Sequence, residues 1–373
     1  MNRIAIISNQ AFSLINFRSL LIIDLVKAGF KVYAFAPDYD DVFREKIINL
    51  GAIPIDCGFS RTGMNPFLDI GTIFKLSYFL ITLKISVTLS HSIKPVIFGS
   101  IAAWMSGISR RVVIIEGLGH IFTDAGTRYS WRTQTLRYLV TYLYKISLKG
   151  VQKVIFLNVD DLNEFLGLSI LNSNKAVVLG GIGVDLDEWS PVPIVTDPIT
   201  FLLAARILKE KGVIEFTEAA RKVKCLHPRT RFILLGSIDI NPSAIAKSEV
   251  EAWVEEGFLE WPGNVSVKSW LAQASVFVLP SYREGVPRST QEAMALGRPV
   301  ITTNVPGCRD TVEEGLNGYL VSAKDSYALF QAMLRFVHNP ALIKSMGVES
   351  RKMAEARFDA HQFNACLLKI IYG

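Results

Sequence analysis

Short apolar runs alternate with longer amphipathic stretches along the chain, and this alternation predicts the architecture before any motif is considered. Residues 3–8, 31–36, 85–90, 111–116 and 153–158 are mostly apolar, the pattern of strands buried on both faces. Helix-like stretches at 17–28 and 41–50 lie between the first of them, and each is stopped by a glycine, Gly29 or Gly51. Repeated strand–helix units imply a parallel sheet with helices on both faces. A second alternation begins at 200–205 and continues through 231–235, 275–279, 299–302 and 318–321. Between the two series, residues 186–198 form a polar run carrying Pro191, Pro193 and Pro198, which reads as a linker. The expected organisation is a domain over 1–188, a linker over 189–198, a second domain over 199–355, and a helix over 356–373 that packs back toward the first domain. Two doubly wound α/β domains facing each other would leave a cleft, the usual place for a ligand.

Composition agrees with two cores: the chain has 373 residues, half of them hydrophobic. Cys57, Cys225, Cys308 and Cys366 are scattered with no C-x-x-C pair, which suggests a reducing compartment and no metal site. The chain opens on a strand-like run without the layout of a signal peptide, so a cytoplasmic location is expected. Its longest tempting apolar stretch, 95–109, falls short of the roughly 18 residues that suggest a span and reads as a buried helix. The net charge of +6 is unevenly placed: residues 61–153 hold 12 basic side chains against Asp69, Glu116 and Asp124. The same region is rich in Tyr, Phe, Trp and Leu, which fits a peripheral contact with an anionic membrane. The large aliphatics between the charges argue against nucleic acid. A merely solvated basic face is the plainer alternative.

The second half carries the sharper chemistry. An apolar strand ending at Leu279-Pro280 runs into Ser281-Tyr282-Arg283-Glu284-Gly285-Val286-Pro287-Arg288 and then a short helical stretch holding Glu292. Loops at the carboxyl ends of strands are where open α/β sheets bind ligands. A helix N-terminus there suits an anion, while carboxylates beside it accept hydrogen bonds from hydroxyls; phosphate plus polyol describes a nucleotide sugar. Ser289-x-x-Glu292 also fits a capping box, which would make Glu292 structural. After the strand at 200–205, Arg206-Ile207-Leu208-Lys209-Glu210-Lys211-Gly212 leads into a helix. Lysine in a first helical turn opposes the helix dipole, a frustration that a bound diphosphate would relieve.

These segments resemble glycosyltransferase family 4, whose members have the two-domain GT-B architecture. The resemblance rests on Glu284-x7-Glu292, Arg206-x4-Lys211-Gly212, the Gly183-Val184-Asp185 turn, Leu235-Gly236 and Glu313-Glu314-Gly315-Leu316-Asn317-Gly318. It implies that Arg206 and Lys211 hold the donor diphosphate, that Glu284 meets the donor sugar, and that Glu292 meets the ribose. By the same likeness Gly236, Gly285, Val286 and Pro287 line the donor site, with Asn264 and Val265 near the base. The first half resembles a narrower subgroup that extends polyprenyl-diphosphate-linked saccharides, such as bacterial α-1,3-N-acetylgalactosaminyltransferases. The matching residues are Asn16-Phe17-Arg18, Phe59 to Pro66, Lys94, Glu116-Gly117-Leu118-Gly119, Asp124, Gly126 and Asp239 to Ser243. Arg18, Arg61 and Lys94 are candidates for the acceptor diphosphate, each with a solvated surface cation as the alternative. Glu116, with Gly117 and Gly119, is either an acceptor-hydroxyl contact or a buried acid satisfying the glycine turn. His120 is a candidate near the leaving group, though a lone histidine is more often structural. The first strand is not followed by G-x-G-x-x-G, which argues against a dinucleotide-binding dehydrogenase.

The resemblance implies hexosyl transfer with retention, N-acetylgalactosamine favoured, from a UDP-sugar to an undecaprenyl-diphosphate-linked saccharide at the inner membrane face. UDP-glucose, UDP-galactose and UDP-N-acetylglucosamine are alternative donors. A UDP-sugar epimerase and a non-catalytic scaffold that binds lipid-linked glycan are the other readings. Asp38-Tyr39-Asp40 has the letters of a metal motif but lies in the first half and reads as a turn, so no metal or other cofactor is expected.

Overall fold

The computed structural model describes residues 2–58, 66–119, 122, 131–239, 241 and 243–372. They form two compact units, 1–182 together with 360–373, and 183–359.

The first unit runs β1 (Arg3–Ile7), α1 (Ala11–Lys27), β2 (Lys31–Ala36), α2 (Asp41–Asn49), β3 (Ile53–Asp56), α3 (Pro66–Thr82), β4 (Val87–His91), α4 (Ser100–Met105), β5 (Arg110–Ile115), α5 (Trp131–Lys149), β6 (Lys153–Phe156), α6 (Val159–Gly167) and β7 (Ala176–Val178). All strand pairs are parallel, in the order β3-β2-β1-β4-β5-β6-β7. Ile4 pairs with Val32 on one side and Val87 on the other. Chain order reverses between β1 and β4, so the loops after these strands diverge and leave a crevice at their carboxyl ends. Right-handed crossovers in a sheet wound this way put α1 and α2 on one face and α3 to α6 on the other.

The second unit runs β8 (Thr200–Ala204), α7 (Val213–Leu226), β9 (Arg231–Leu235), α8 (Lys247–Glu255), β10 (Glu260–Gly263), α9 (Val267–Leu271), β11 (Val276–Leu279), α10 (Arg288–Ala295), β12 (Val300–Thr303), β13 (Gly318–Val321), α11 (Ser326–His338) and α12 (Ala341–Arg357). Its parallel sheet has the order β10-β9-β8-β11-β12-β13, so the reversal falls between β8 and β11. Phe201, Leu203, Val276, Val278 and Ile301 are buried in one core with Phe216 and Val223 of α7 and Leu329 and Met333 of α11. The last helix, α13 (Ala360–Tyr372), belongs to the first unit, where Asn364 Nδ2 donates to Asp24 of α1.

The predicted central strands are present. Three strands escaped the hydrophobic pattern, β3, β7 and β10, and all three are sheet edges. Two carry a proline, Pro54 or Pro262, which an edge tolerates because its outer N–H positions need no ladder partner. The third has only three residues.

The proline-rich run does not stand apart as a linker: the unit boundaries fall at 182/183 and 359/360. Prolines leave backbone carbonyls without a regular ladder, and buried side chains take them up here. Arg298 Nη1 donates to Val192 O at 3.0 Å, Ser275 Oγ to Val195 O at 2.5 Å, and Arg351 Nη1 to Trp189 O at 2.9 Å. Residues 95–109 hold a wide π-helical turn (Pro95–Gly99) that leads into α4, with Val96, Ile97, Ala102 and Ala103 buried. Among the described residues no helix is long and apolar enough to cross a membrane. Asp38 and Asp40 accept the backbone N–H groups of Ala11 and Phe43, so each serves a helix N-terminus.

Candidate active site

In the second unit, the segments after β8 and β11 flank the point of strand-order reversal and carry the predicted cations and carboxylate. Lys211 lies in a single tight turn at Lys209–Lys211, ahead of α7 rather than in its first turn. Gly212 follows at φ +70°, and a Cβ there would stand 2.1 Å from the Pro280 carbonyl. Only glycine permits that approach, which brings the Lys211 turn onto the end of β11. Lys211 Nζ meets Glu284 Oε1 at 2.5 Å, with 18% and 15% of the two side chains exposed. The Glu284 loop is pinned from its other side. Its N–H donates to Pro306 O at 3.1 Å, and a Cβ on Gly307 would collide with the Glu284 and Gly285 carbonyls at 2.2 Å. Tyr282 is fixed too, its hydroxyl donating to Glu215 of α7 at 2.6 Å.

Arg206 follows β8 and is half exposed, its Nη1 3.0 Å from Asp239 Oδ2. Asp239 also accepts from the Asn241 N–H, and Asn241 from Ser243, so this loop is a chain of side-chain-to-backbone bonds holding Arg206. Gly236 follows β9, and its N–H donates to the Gly263 carbonyl. Asn264 and Val265 lie exposed after edge strand β10, two strands from β8; they are the predicted donor residues farthest from the Lys211–Glu284 pair in strand order.

The capping-box reading of Glu292 is corrected. Helix α10 begins at Arg288 after Pro287, so Ser289 is already inside the helix, and Glu292 Oε1 instead takes Arg288 Nε at 3.0 Å. Burial raises the Glu292 carboxyl above its ordinary range, with Arg288 opposing. A carboxylate kept where desolvation disfavours its charge is a functional candidate. Gly285, Val286 and Pro287 are buried. Gln291, which no motif singled out, donates to Val286 O at 3.1 Å and accepts from Gly183 N at 2.9 Å. It ties the Gly183-Val184-Asp185 turn to the start of α10. Cys308 lies close enough to be pushed up to about 12 by burial, with Glu284 adding to the shift.

In the first unit the segments after β1, β4 and β5 converge on Glu116. Arg18, buried on α1, donates through Nη2 to Glu116 Oε1. His91 Nδ1 lies 3.2 Å and Ser92 Oγ 3.5 Å from Oε2. Burial alone would raise this carboxyl; Arg18, then His91 and Ser92, outweigh it and bring it down to about 2. About a quarter of the Glu116 side chain remains exposed. Arg18 therefore stands behind Glu116 and is not the open cation that a diphosphate clamp needs. Lys94 is likewise paired, with Asp69 of α3 at 2.9 Å. Gly117 and Gly119 take positive φ just after β5. His91 and Ser92 were missed because their short strand reads as ending one residue earlier; the Ser-His-Ser ending of the run was the available signal. Arg61 and His120 lie outside the described residues.

Comparison with known proteins gives the family and the fold. Residues 198–339 match the family "Glycosyl transferases group 1". The chain is 30% identical over 339 residues to the N,N'-diacetylbacillosaminyl-diphospho-undecaprenol alpha-1,3-N-acetylgalactosaminyltransferase of Campylobacter jejuni, covering 87% of this chain and 86% of that one. It is 22% identical to the UDP-Gal:alpha-D-GlcNAc-diphosphoundecaprenol alpha-1,3-galactosyltransferase of Escherichia coli, over 74% and 72% of the two chains. Among solved structures, HepE of Anabaena in complex with UDP and glucose superposes with a TM-score of 0.78 at 16% identity, across the whole of both chains.

Proposed function

Because the chain belongs to the group 1 glycosyl transferases, we propose that it moves a hexosyl group from a UDP-sugar to an undecaprenyl-diphosphate-linked saccharide during polysaccharide assembly. N-Acetylgalactosamine is the favoured sugar, supported by the relative from Campylobacter jejuni. The protein would act from the cytoplasmic side, peripherally on the inner membrane, where its lipid-linked acceptor is held.

The observation that carries the proposal is the Lys211–Glu284 pair at the strand-order reversal of the second unit, with Arg206 following β8, one of the two strands at that reversal. In this reading Lys211 and Arg206 neutralise the diphosphate as it departs, and Glu284 accepts hydrogen bonds from the sugar hydroxyls. Glu292 holds the ribose, and the Gly285-Val286-Pro287 backbone lines the phosphate side. The bond from the anomeric carbon to the β-phosphate oxygen breaks, and a bond from that carbon to the acceptor oxygen forms on the same face. The acceptor proton passes to the departing phosphate. Glu116, held ionised by Arg18 and His91, is too weak a base to take that proton. It suits a hydrogen-bond acceptor that orients the incoming hydroxyl. With two cations at the leaving group, the reading requires no metal ion.

The test is a transfer assay with purified protein, a polyprenyl-diphosphate N-acetylhexosamine acceptor and a panel of UDP-sugars, with EDTA present. The expected result is one α-linked product, strongest with UDP-N-acetylgalactosamine. A product that forms only with added divalent metal would refute the metal-free reading. UDP binding without transfer from any donor would favour the non-catalytic scaffold.

A further inference from the structure

We infer that the outward sides of α3 and α5, bridged by the end of α4, form a face that docks the first unit on an anionic lipid bilayer. The inference rests on the lipid-linked acceptor proposed above and goes further by naming the side chains that meet the lipid.

Helix α5 turns Trp131, Tyr138, Leu139, Tyr142 and Ile146 to solvent, with Trp131 71% and Tyr138 78% exposed. Their spacing follows the helical repeat, so they form a stripe. The opposite side of α5, with Val140, Tyr144 and Leu148, is buried against the sheet. Helix α3 repeats the design: Ile70, Phe74, Tyr78 and Ile81 face out, while Leu76 and Leu80 are buried. The two helices lie on the same face of the sheet. Helix α4 joins them: Ser77 Oγ of α3 donates to Ala102 O of α4, Ser106 Oγ at the end of α4 donates back to Ser77 O, and Trp104 packs beside Gly150 just past α5. Trp104 is itself 64% exposed. In the second unit, by contrast, the exposed large apolar side chains, such as Leu226, Val254, Tyr327 and Val348, are scattered singly over its helices. Such singles need no explanation, whereas a contiguous apolar face does.

Charge selects the occupant. Helix α5 has no Asp or Glu along its length, and Asp69 of α3 is buried and bound to Lys94. Lys75 and Lys149 are exposed on these helices and Lys145 is half-buried. Trp and Tyr supply an apolar body with a polar tip, the side chains that settle at a membrane interface. Cations among them, with no exposed carboxylate, complement anionic headgroups. The stripes are amphipathic, which suits lying in the interface plane rather than spanning.

The test is flotation of the full-length protein with vesicles of phosphatidylglycerol and phosphatidylethanolamine, and with phosphatidylcholine alone. Binding is expected to the anionic vesicles, weakening as salt rises. Tyr138→Ser with Tyr142→Ser, or Phe74→Ser with Tyr78→Ser, should lower the affinity at least about tenfold. Lys145→Ala and Lys149→Ala should each lower it about fivefold. A short, water-soluble acceptor analogue keeps the two readings separate. Unchanged transfer to it in the face variants, with vesicle binding lost, supports docking. Absence of wild-type binding, or unaltered binding in both tyrosine and phenylalanine variants, overturns the inference. So does a wild-type dimer in light scattering that the same substitutions dissolve, since the face would then cover a second copy. Failure of wild-type transfer to the analogue with vesicle binding intact would count against the proposed reaction and not against the face.

Discussion

Replacing Lys211 with alanine separates what the Lys211–Glu284 pair does for the fold from what it does for the reaction. Both side chains are more than four-fifths withdrawn from solvent, and their charged atoms lie 2.5 Å apart. Removing the ammonium strands the Glu284 carboxylate, whose loop is fixed by Pro306 and Gly307 and cannot swing out freely. Breaking a fully buried pair costs about 3–5 kcal/mol; partial exposure here reduces that to about 1–2 kcal/mol. For a unit of this size that is a fall of about 2–8 °C in Tm. The reaction should suffer more. Loss of one preorganised cation at the leaving diphosphate costs about a hundredfold to a thousandfold in kcat, the effect of deleting one oxyanion-hole donor. Adding Glu284→Ala to Lys211→Ala should restore much of the stability, since no carboxylate remains stranded, without restoring the rate. Calorimetric melting and steady-state transfer at saturating donor and acceptor read the two effects. A single variant that keeps kcat within threefold of wild type would sink the leaving-group role. A double variant no more stable than the single would refute the stranded-carboxylate argument.

Glu292→Gln should raise Tm slightly at pH 7–8 while weakening UDP binding about tenfold, measured by calorimetric titration. A raised carboxyl contributes stability only at low pH and loses it as pH rises through the folded value, so the gain from glutamine should shrink on acidification. Glu116 behaves oppositely. Its lowered carboxyl contributes stability above the ordinary value of 4.5, and that contribution disappears as pH falls toward about 2. The Tm difference between wild type and Glu116→Gln should therefore close over that window, and the variant should raise the acceptor KM more than it lowers kcat. Arg298→Leu removes a buried guanidinium that donates to the carbonyls of Leu271, Ala272, Leu296, Val192 and Pro193. It should cost about 3–5 kcal/mol in denaturant unfolding, and a loss below about 1 kcal/mol would show that water replaces those bonds.

Much of the second unit's candidate site was legible because its signals are local. Arg206, Lys211 and Glu284 each follow an apolar strand within a few residues, and a parallel α/β sheet places such loops at one end. The first unit's cluster was less legible because its partners come from distant elements: Arg18 on α1 and His91 at the end of β4 both meet Glu116 after β5. Sequence also overstated two local patterns. Ser289-x-x-Glu292 has the letters of a capping box, but the cap is Pro287, two residues earlier, and Arg288 takes the carboxylate. The proline-rich run has linker composition, but Arg298, Arg351 and Ser275 engage its carbonyls and draw it into the second unit.

By itself, then, the order of residues determined two strand–helix series, the central strands of each sheet, and the cations and carboxylates at strand ends, because periodicity and spacing are local properties of a chain. Tertiary structure decided which charges are paired, which edge strands form, and which helix faces stay bare. Those outcomes depend on burial and on contacts between residues far apart in the chain, such as Tyr372 and Ala28, 344 positions apart, and no local window contains both partners.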